Sequence, residues 1–509
     1  MHSSRQTDMH GNAPRAAGHA GWRLEIAADP TRIDAARWDA LLARQATPTP
    51  FMRHAYLAAL HASGSAAART GWTPQYLLLW DGDALAAACP LYLKEHSYGE
   101  YVFDWAWANA YAEHGLAYYP KALVAVPFTP VPGSRLLARD APARAALLQA
   151  LLQACTDNGL SSLHVLYGDD TDVAACEDTG LMLRQQVQFH WKNMKPPRSA
   201  AAPAALPPEE AFAPWDGPAA LMKPPRSPAA PAAPALQAAE PPESTRLRAV
   251  QARTGEPGAA ALSPSGALAP LGRPGGGSGT REVRAAETTG ARPFTDFEDF
   301  LASLQREKRK KIRQERRRVA DAGVRVRWAR GVDITPADWD FFYRCYERTY
   351  LEHGNAPYLT PDFFVRMARD LPRAWVLFIA EREGRPIAAS LIALDTSSPG
   401  DHEERTTGRV AYGRYWGALE RVDCLHFELC YYAPLAWCIA HGIARFEGGA
   451  QGEHKMARAL LPVTTHSAHW LAHPAFAEAV GRFLDREDAA MTGYLARLRA
   501  RDPFGHPPR

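Results

Sequence analysis

The residues of this 509-residue chain best suited to chemistry lie in a few short segments. Read as a strand, Leu425-His426-Phe427-Glu428 projects His426 and Glu428 from one face, a titratable pair suited to proton abstraction. A buried histidine satisfied by a neighbouring carboxylate leaves the same pattern. Further on, Phe446-Glu447-Gly448-Gly449-Ala450-Gln451-Gly452-Glu453-His454-Lys455 follows a strand-like run. Its glycines let the backbone turn without strain and approach a ligand closely. Gly448, Gly449, Gln451, Gly452 and Lys455 are therefore candidate cofactor contacts, against the plainer alternative of a tight turn. Glu447, Glu453 and His454 join His426 and Glu428 as candidate bases.

In the first half, Tyr101, Phe103, Trp105 and Trp107 alternate with Glu100, Val102, Asp104 and Ala106, the period of a strand with one aromatic face. Such a face builds either a sheet core or an aromatic-walled groove. In the groove reading Tyr98, Glu100, Asp104, Trp105 and Trp107 contact the substrate, and the carboxylates suit a cationic amine. The run from Arg306 to Arg318 is basic on every side and must face solvent or phosphate. Guanidinium groups offer phosphate two aligned donors, and an RNA bound there would dissociate steeply with salt.

These segments sit on elements that repeat. Ile33 to Asp39 with Trp38 and Ile334 to Asp340 with Trp339 each begin a helix; Pro50-Phe51-Met52 and Pro357-Tyr358-Leu359 each lead into a second. Each half then has two strand-like runs about a turn, Tyr76 to Trp80 with Ala84 to Leu93, and Trp375 to Ala380 with Ile387 to Leu394. Each closes on a helix, a Gly stop and a strand: Pro142 to Asn158, Gly159 and Leu163 to Leu166, matched by Cys430 to His441, Gly442 and Ile443 to Phe446. A crossover helix between parallel strands is implied twice. A last helix, Phe476 to Leu498, is expected to pack on the second half.

Between the halves, residues 194–293 turn to Pro, Ala, Gly and Ser, a composition that buries too little apolar surface to order itself. Met194 to Ser199 recurs as Met222 to Ser227, a local duplication. The expected organisation is a disordered start over 1–21, a first domain over 22–193, the linker over 194–293, the basic helix with a second domain over 294–500, and a tail over 501–509.

Composition narrows the partners. Lys and Arg number 58 against 55 Asp and Glu, a net charge of +3, too small for a molecule-wide attraction to DNA. No apolar run approaches the roughly 20 residues of a membrane span, and no secretory signal is written at the start. The 7 Cys form no C-x-x-C pair, which argues against a zinc site or a disulfide framework; no metal is expected, and a cytoplasmic location is.

The segments His96 to Trp107, Val126-Pro127-Phe128-Thr129-Pro130-Val131, Leu425 to Glu428 and Phe446 to Lys455 resemble the FemAB-like N-acyltransferases of the GNAT superfamily. The resemblance implies an α/β (α+β) fold of two tandem GNAT-like domains, mixed sheets flanked by helices. It implies transfer of an acyl or aminoacyl group to an amine, such as that of a small molecule or muropeptide, by direct attack with general-base help. Acyl-CoA or aminoacyl-tRNA would be the co-substrate, with no cofactor bound permanently, and tRNA would be a partner. Arg309, Ile312 and Arg313 match a helix that lies near acceptor phosphates in related transferases, which makes Arg309 and Arg313 candidate substrate contacts. A non-catalytic module that binds a cell-wall precursor or RNA is the alternative. The pattern leaves the oligomeric state open.

Overall fold

A computed structural model describes residues 22–195, 292–395, 409–450 and 452–504. The first half runs β1 (Arg23–Ala27), α1 (Ala35–Leu42), α2 (His54–Ala62), β2 (Trp72–Pro74), β3 (Tyr76–Asp81), β4 (Ala84–Cys89), β5 (Leu91–Lys94), α3 (Trp105–Glu113), β6 (Lys121–Val124), β7 (Leu137–Ala138), α4 (Ala141–Asp157), β8 (Ser162–Gly168), α5 (Asp170–Asp178) and β9 (Met182–Lys192). The second runs α6 (Phe297–Ser303), α7 (Arg306–Asp321), β10 (Val324–Arg330), α8 (Pro336–Glu352), α9 (Pro361–Asp370), β11 (Trp375–Arg382), β12 (Arg385–Leu394), β13 (Val410–Ala418), α10 (Leu425–Phe427), a π-helical stretch (Glu428–Tyr432), α11 (Ala433–Ala440), β14 (Arg445–Ala450), β15 (Leu461–Leu471) and α12 (Pro474–Arg499).

Local chemistry sets these boundaries. Asp140 caps α4 by accepting from the Ala143 amide at 2.8 Å, and Pro142 stands in its first turn, where a missing N–H costs nothing. Leu147, Leu148, Leu151 and Cys155 bury one face of the helix. Gly159 at φ +61° ends it. In the second half Thr335 caps α8 with a reciprocal bond to Asp338, and Gly442 at φ +64° ends α11.

Both halves build the same frame. β6 and β8 pair in parallel across α4, and β13 and β14 pair in parallel across α11, the two expected crossovers. The hairpins β3–β4 and β11–β12 also form. Strands join in the order β10-β11-β12-β13-β14-β9-β15-β8-β6-β5-β2, with a smaller sheet β1-β3-β4-β7. The order shows an exchange: β9, the last strand of the first half, pairs with β14, while β15 of the second half pairs with β8. The core is shared as well, since Tyr56 of α2 meets Phe363 of α9 edge-on at 5.4 Å.

The structure corrects three local expectations. The region 101–107 is not a strand: Tyr101 lies at φ +62°, and Trp105 opens α3. Residues 425–428 are helical, so His426 and Glu428 do not share a strand face. Helix α12 reaches beyond the second half, for Val480 and Leu484 join a cluster with Trp107, Tyr111 and Tyr118 of the first. Most of the expected linker, along with residues 1–21, 396–408, Gln451 and 505–509, lies outside the described residues. The ends of the linker meet, the Lys195 amide donating to the Arg292 carbonyl at 2.7 Å. Ends so close tolerate a long connection at modest entropic cost, because the cost of closure grows only with the logarithm of its length. Among the described residues no helix is long and apolar enough to cross a membrane.

Candidate active site

Strands β13 and β14 pair only from Val410 to Tyr412 with Arg445 to Glu447, and beyond that point they part. Both arms of the resulting V carry a bulge. On β13 the pairing jumps from Ile392–Gly413 to Leu391–Tyr415, which leaves Arg414 as the extra residue. On β14 it jumps from Glu447–His190 to Ala450–Gln188, which places Gly448 and Gly449 in the bulge. Gly449 needs its φ of +75°; a Cβ on Gly448 would stand 2.4 Å from a Leu460 methyl. Ligands of open α/β sheets bind at the carboxyl ends of parallel strands, and the gap lies at that end of β13 and β14.

Glu447 is the last paired residue before the gap and is buried. Arg445 holds its Oε1 at 2.9 Å, whereas Oε2 accepts no hydrogen bond and has His190 Nε2 at 3.8 Å. Burial raises the Glu447 carboxyl to about 7 despite Arg445, the range in which a carboxylate works as a base near neutrality. Burial and the charges of Arg445 and Lys455 lower His190 to about 3. The ammonium of Lys455 donates to the carbonyls of Gly448 at 2.7 Å and Gly449 at 3.2 Å, so it braces the glycine bulge. Burial lowers this lysine to about 8.

Outside the β13 arm a cavity of about 710 Å³ is lined by Trp416, Ala418, the 419–424 loop, His426 and Phe427, with Arg348 and Glu352 of α8. This is the size of a small-molecule or cofactor site. His426 meets Trp416 at 5.0 Å and Tyr431 at 5.7 Å; burial first, then His454 and nearby cations, lower it to about 4. His454 reaches the Tyr431 hydroxyl at 3.3 Å, and Arg458 stacks on Phe427 at 3.7 Å. Their neighbourhood is the π-helical stretch, which reshapes the start of the crossover helix.

Other candidates lie elsewhere. Glu428 turns to the basic helix, where Arg316 binds both of its oxygens at 3.0 Å. Glu453 is exposed, paired with Arg501 at 2.6 Å and Tyr494 at 3.1 Å. Gly452, at φ +93°, precedes the short turn that carries Glu453 and His454. Arg309 donates to the Ala302 carbonyl at 3.3 Å, and Arg313 pairs with Glu298 at 2.6 Å.

In the first half Glu100 and Asp104 converge on a residue the sequence reading missed. Buried Lys121 donates to Glu100 at 2.8 Å and makes a shorter contact to Asp104, which also accepts from Tyr118 at 2.7 Å. Burial raises Glu100 to about 7; for Asp104 burial is outweighed by the charges of Lys121 and His164, which hold it well below the usual range. Trp107 covers this network, stacked 6.1 Å from His164, while Tyr98 and Trp105 stand at its outer edge 5.1 Å apart. A lysine heading the apolar run Ala122 to Val126 was the available signal for Lys121. The single cation of the β13 run, Arg414, was the other.

Two halves of one plan, each a β-α-β crossover beside an antiparallel hairpin, make this a duplicated α/β protein of mixed sheets flanked by helices. The chain belongs to the FemAB-like family of peptidoglycan biosynthesis/recognition, whose model matches residues 29–198 and 288–506. Among solved structures it is similar to FemX, at 7% identity and TM-score 0.43, over 88% of this chain and 99% of that one. It is also similar to L-PGS from Bacillus licheniformis, at 9% identity and TM-score 0.41, over 90% and 99%. A tandem GNAT protein from the clavulanic acid biosynthesis pathway has 10% identity and TM-score 0.38, over 89% and 99%. No curated protein matches.

Proposed function

We propose that the protein is an N-acyltransferase that moves an acyl or aminoacyl group from an activated donor to an amine of a peptidoglycan precursor. The observation that carries the reading is the V between β13 and β14 with Glu447 at its apex. Where the strands part, β13 from Gly413 onward pairs with no described residue of β14, so amides on that side offer donors to an oxyanion formed in the gap. The donor, acyl-CoA or aminoacyl-tRNA, enters from the cavity lined by Trp416, His426 and Phe427. The amine approaches from the face that carries Tyr412 and Glu447.

In this mechanism Glu447 takes the amine proton through its unbonded Oε2, and the nitrogen attacks the donor carbonyl directly. Collapse of the tetrahedral intermediate expels the donor's leaving group. Of the candidate bases, Glu447 alone combines burial, an unbonded oxygen and a proton affinity near neutral pH; His426, lowered to about 4, suits a neutral wall of the donor cavity. Amine-dependent consumption of acyl-CoA and of aminoacyl-tRNA, followed with a muropeptide acceptor, tests the reading. Glu447→Gln should lower kcat by on the order of 100-fold or more while leaving the fold intact. Undiminished turnover in that variant, or no amine-dependent turnover of either donor, would refute it.

A further inference from the structure

Arg414 raises a question of charge. It is half-buried in the seam between the halves, and its Nη2 donates to the Phe128 carbonyl at 2.9 Å, Thr129 Oγ1 at 3.3 Å and the Tyr415 hydroxyl at 3.1 Å. Its Nε is shielded from solvent and has no partner, and no carboxylate pairs with it among the described residues. The protein's other deeply placed cations mostly have acidic partners, as Lys121 has Asp104 and Arg458 has Glu315. A guanidinium N–H that is shielded from water and left unused is costly unless an acceptor, such as an anion, completes it.

Its surroundings are neutral hydrogen-bond donors. The Tyr101 hydroxyl lies within electrostatic reach of Tyr350, Tyr358, Tyr415 and Arg414, and these four tyrosines are half-buried. Tyr358 stacks on Phe128 at 4.7 Å and meets Tyr350 at 5.5 Å, so the ring of phenols spans both halves. Neither Tyr101 nor Tyr358 spends its hydroxyl on a described residue. The bulge in β13 that makes Arg414 the extra residue gives it the same side of the strand as Tyr415.

We infer that Arg414 and the surrounding phenols form a binding site for a carboxylate carried by the acyl acceptor. The charge decides between anions: one guanidinium among neutral phenols matches a carboxylate monoanion, whereas a phosphate dianion would leave negative charge uncompensated. This deepens the proposed function, because an amine acceptor that also bears a carboxylate is an amino acid or peptide. Arg414 lies on β13 just past Tyr412, the partner of Glu447, so carboxylate and amine of one acceptor meet neighbouring residues of one sheet.

Calorimetric titration of the full-length protein, without donor, tests the site apart from any turnover. N-acetylalanine is expected to bind, and its amide, N-acetylalaninamide, to bind at least about tenfold more weakly. Arg414→Gln should weaken N-acetylalanine by a similar factor and leave the amide unchanged. If that variant does not fold, Tyr358→Phe, which keeps the cation, should weaken the acid severalfold. Equal affinity for acid and amide, no binding of the acid, full affinity in both variants, or tighter binding of methyl phosphate would each overturn the inference.

Discussion

At the scale of single residues, two buried glutamates of the second half, Glu428 and Glu447, divide structural from chemical work. Glu428 is neutralised by a two-point bond from Arg316, whose side chain is 38% exposed. Replacing Glu428 with Gln should lower stability by about 1–2 kcal/mol, discounted for that exposure, and leave kcat within a few-fold; urea unfolding with steady-state rates checks both. Glu447 should behave oppositely. Its carboxyl, raised by burial to about 7, must be ionised to accept a proton, so kcat should rise with pH through that value and level off above it. A rate flat between pH 6 and pH 8, roughly one unit either side, would remove Glu447 from the mechanism. The sequence made the Glu447 region legible, because glycines after a strand are conspicuous. Its partner His190 was hidden, since a cross-strand neighbour from the other half leaves no local trace.

At the scale of elements, the hairpins, capped helices and glycine stops were readable because each is written in contiguous residues. Two short segments were misread for a definite reason. The aromatics of 101–107 satisfy period two, yet Trp107 and Tyr111, four apart, both bury in the helical spacing of α3. Likewise, three or four residues cannot tell a strand from the first turn of a helix, and Leu425 to Glu428 open the crossover helix. The glycine bulge allows a sharper test of how the β14 arm is held. In Gly448→Ala the new methyl meets Leu460 at 2.4 Å and the Phe189 carbonyl at 3.1 Å, so the arm must shift, at about 1–3 kcal/mol. In Gly449→Ala nothing lies within 4 Å, and only the φ of +75° resists, at about 1 kcal/mol. Thermal unfolding should rank Gly448→Ala as the more damaging; the reverse order would place the constraint in the turn.

At the scale of the whole molecule, the duplication was legible and the exchange of β9 and β15 was not, because both pairings satisfy the same alternation. The exchange has a thermodynamic consequence. Neither half can leave without exposing strands of the other, and the halves share one aromatic core, so calorimetry should show a single cooperative transition. Two resolved transitions would contradict the shared sheet. The same interior sets the response to acid. Burial lowers His164 and His190 to about 3, His96 and His426 to about 4, and depresses His61, His454 and His469 as well. Each such group binds its proton more weakly folded than unfolded, so the stability it contributes is present above pH 6.5 and is lost as pH falls toward 4. Burial raises Glu100, Asp172 and Glu447 to about 7, and these groups act in the opposite sense, costing stability as pH rises from their ordinary range through 7. Seven groups of the first kind outnumber three of the second, and between roughly pH 4.5 and pH 6.5 the unfolded chain therefore holds more protons than the folded one. Urea midpoints should accordingly fall from pH 7 to pH 5, about two units of acidification, and His164→Gln, which leaves the neighbouring Asp104 and Lys121 in place, should flatten that fall; midpoints that rise on acidification would mean that the buried carboxyls, and not the histidines, govern the fold.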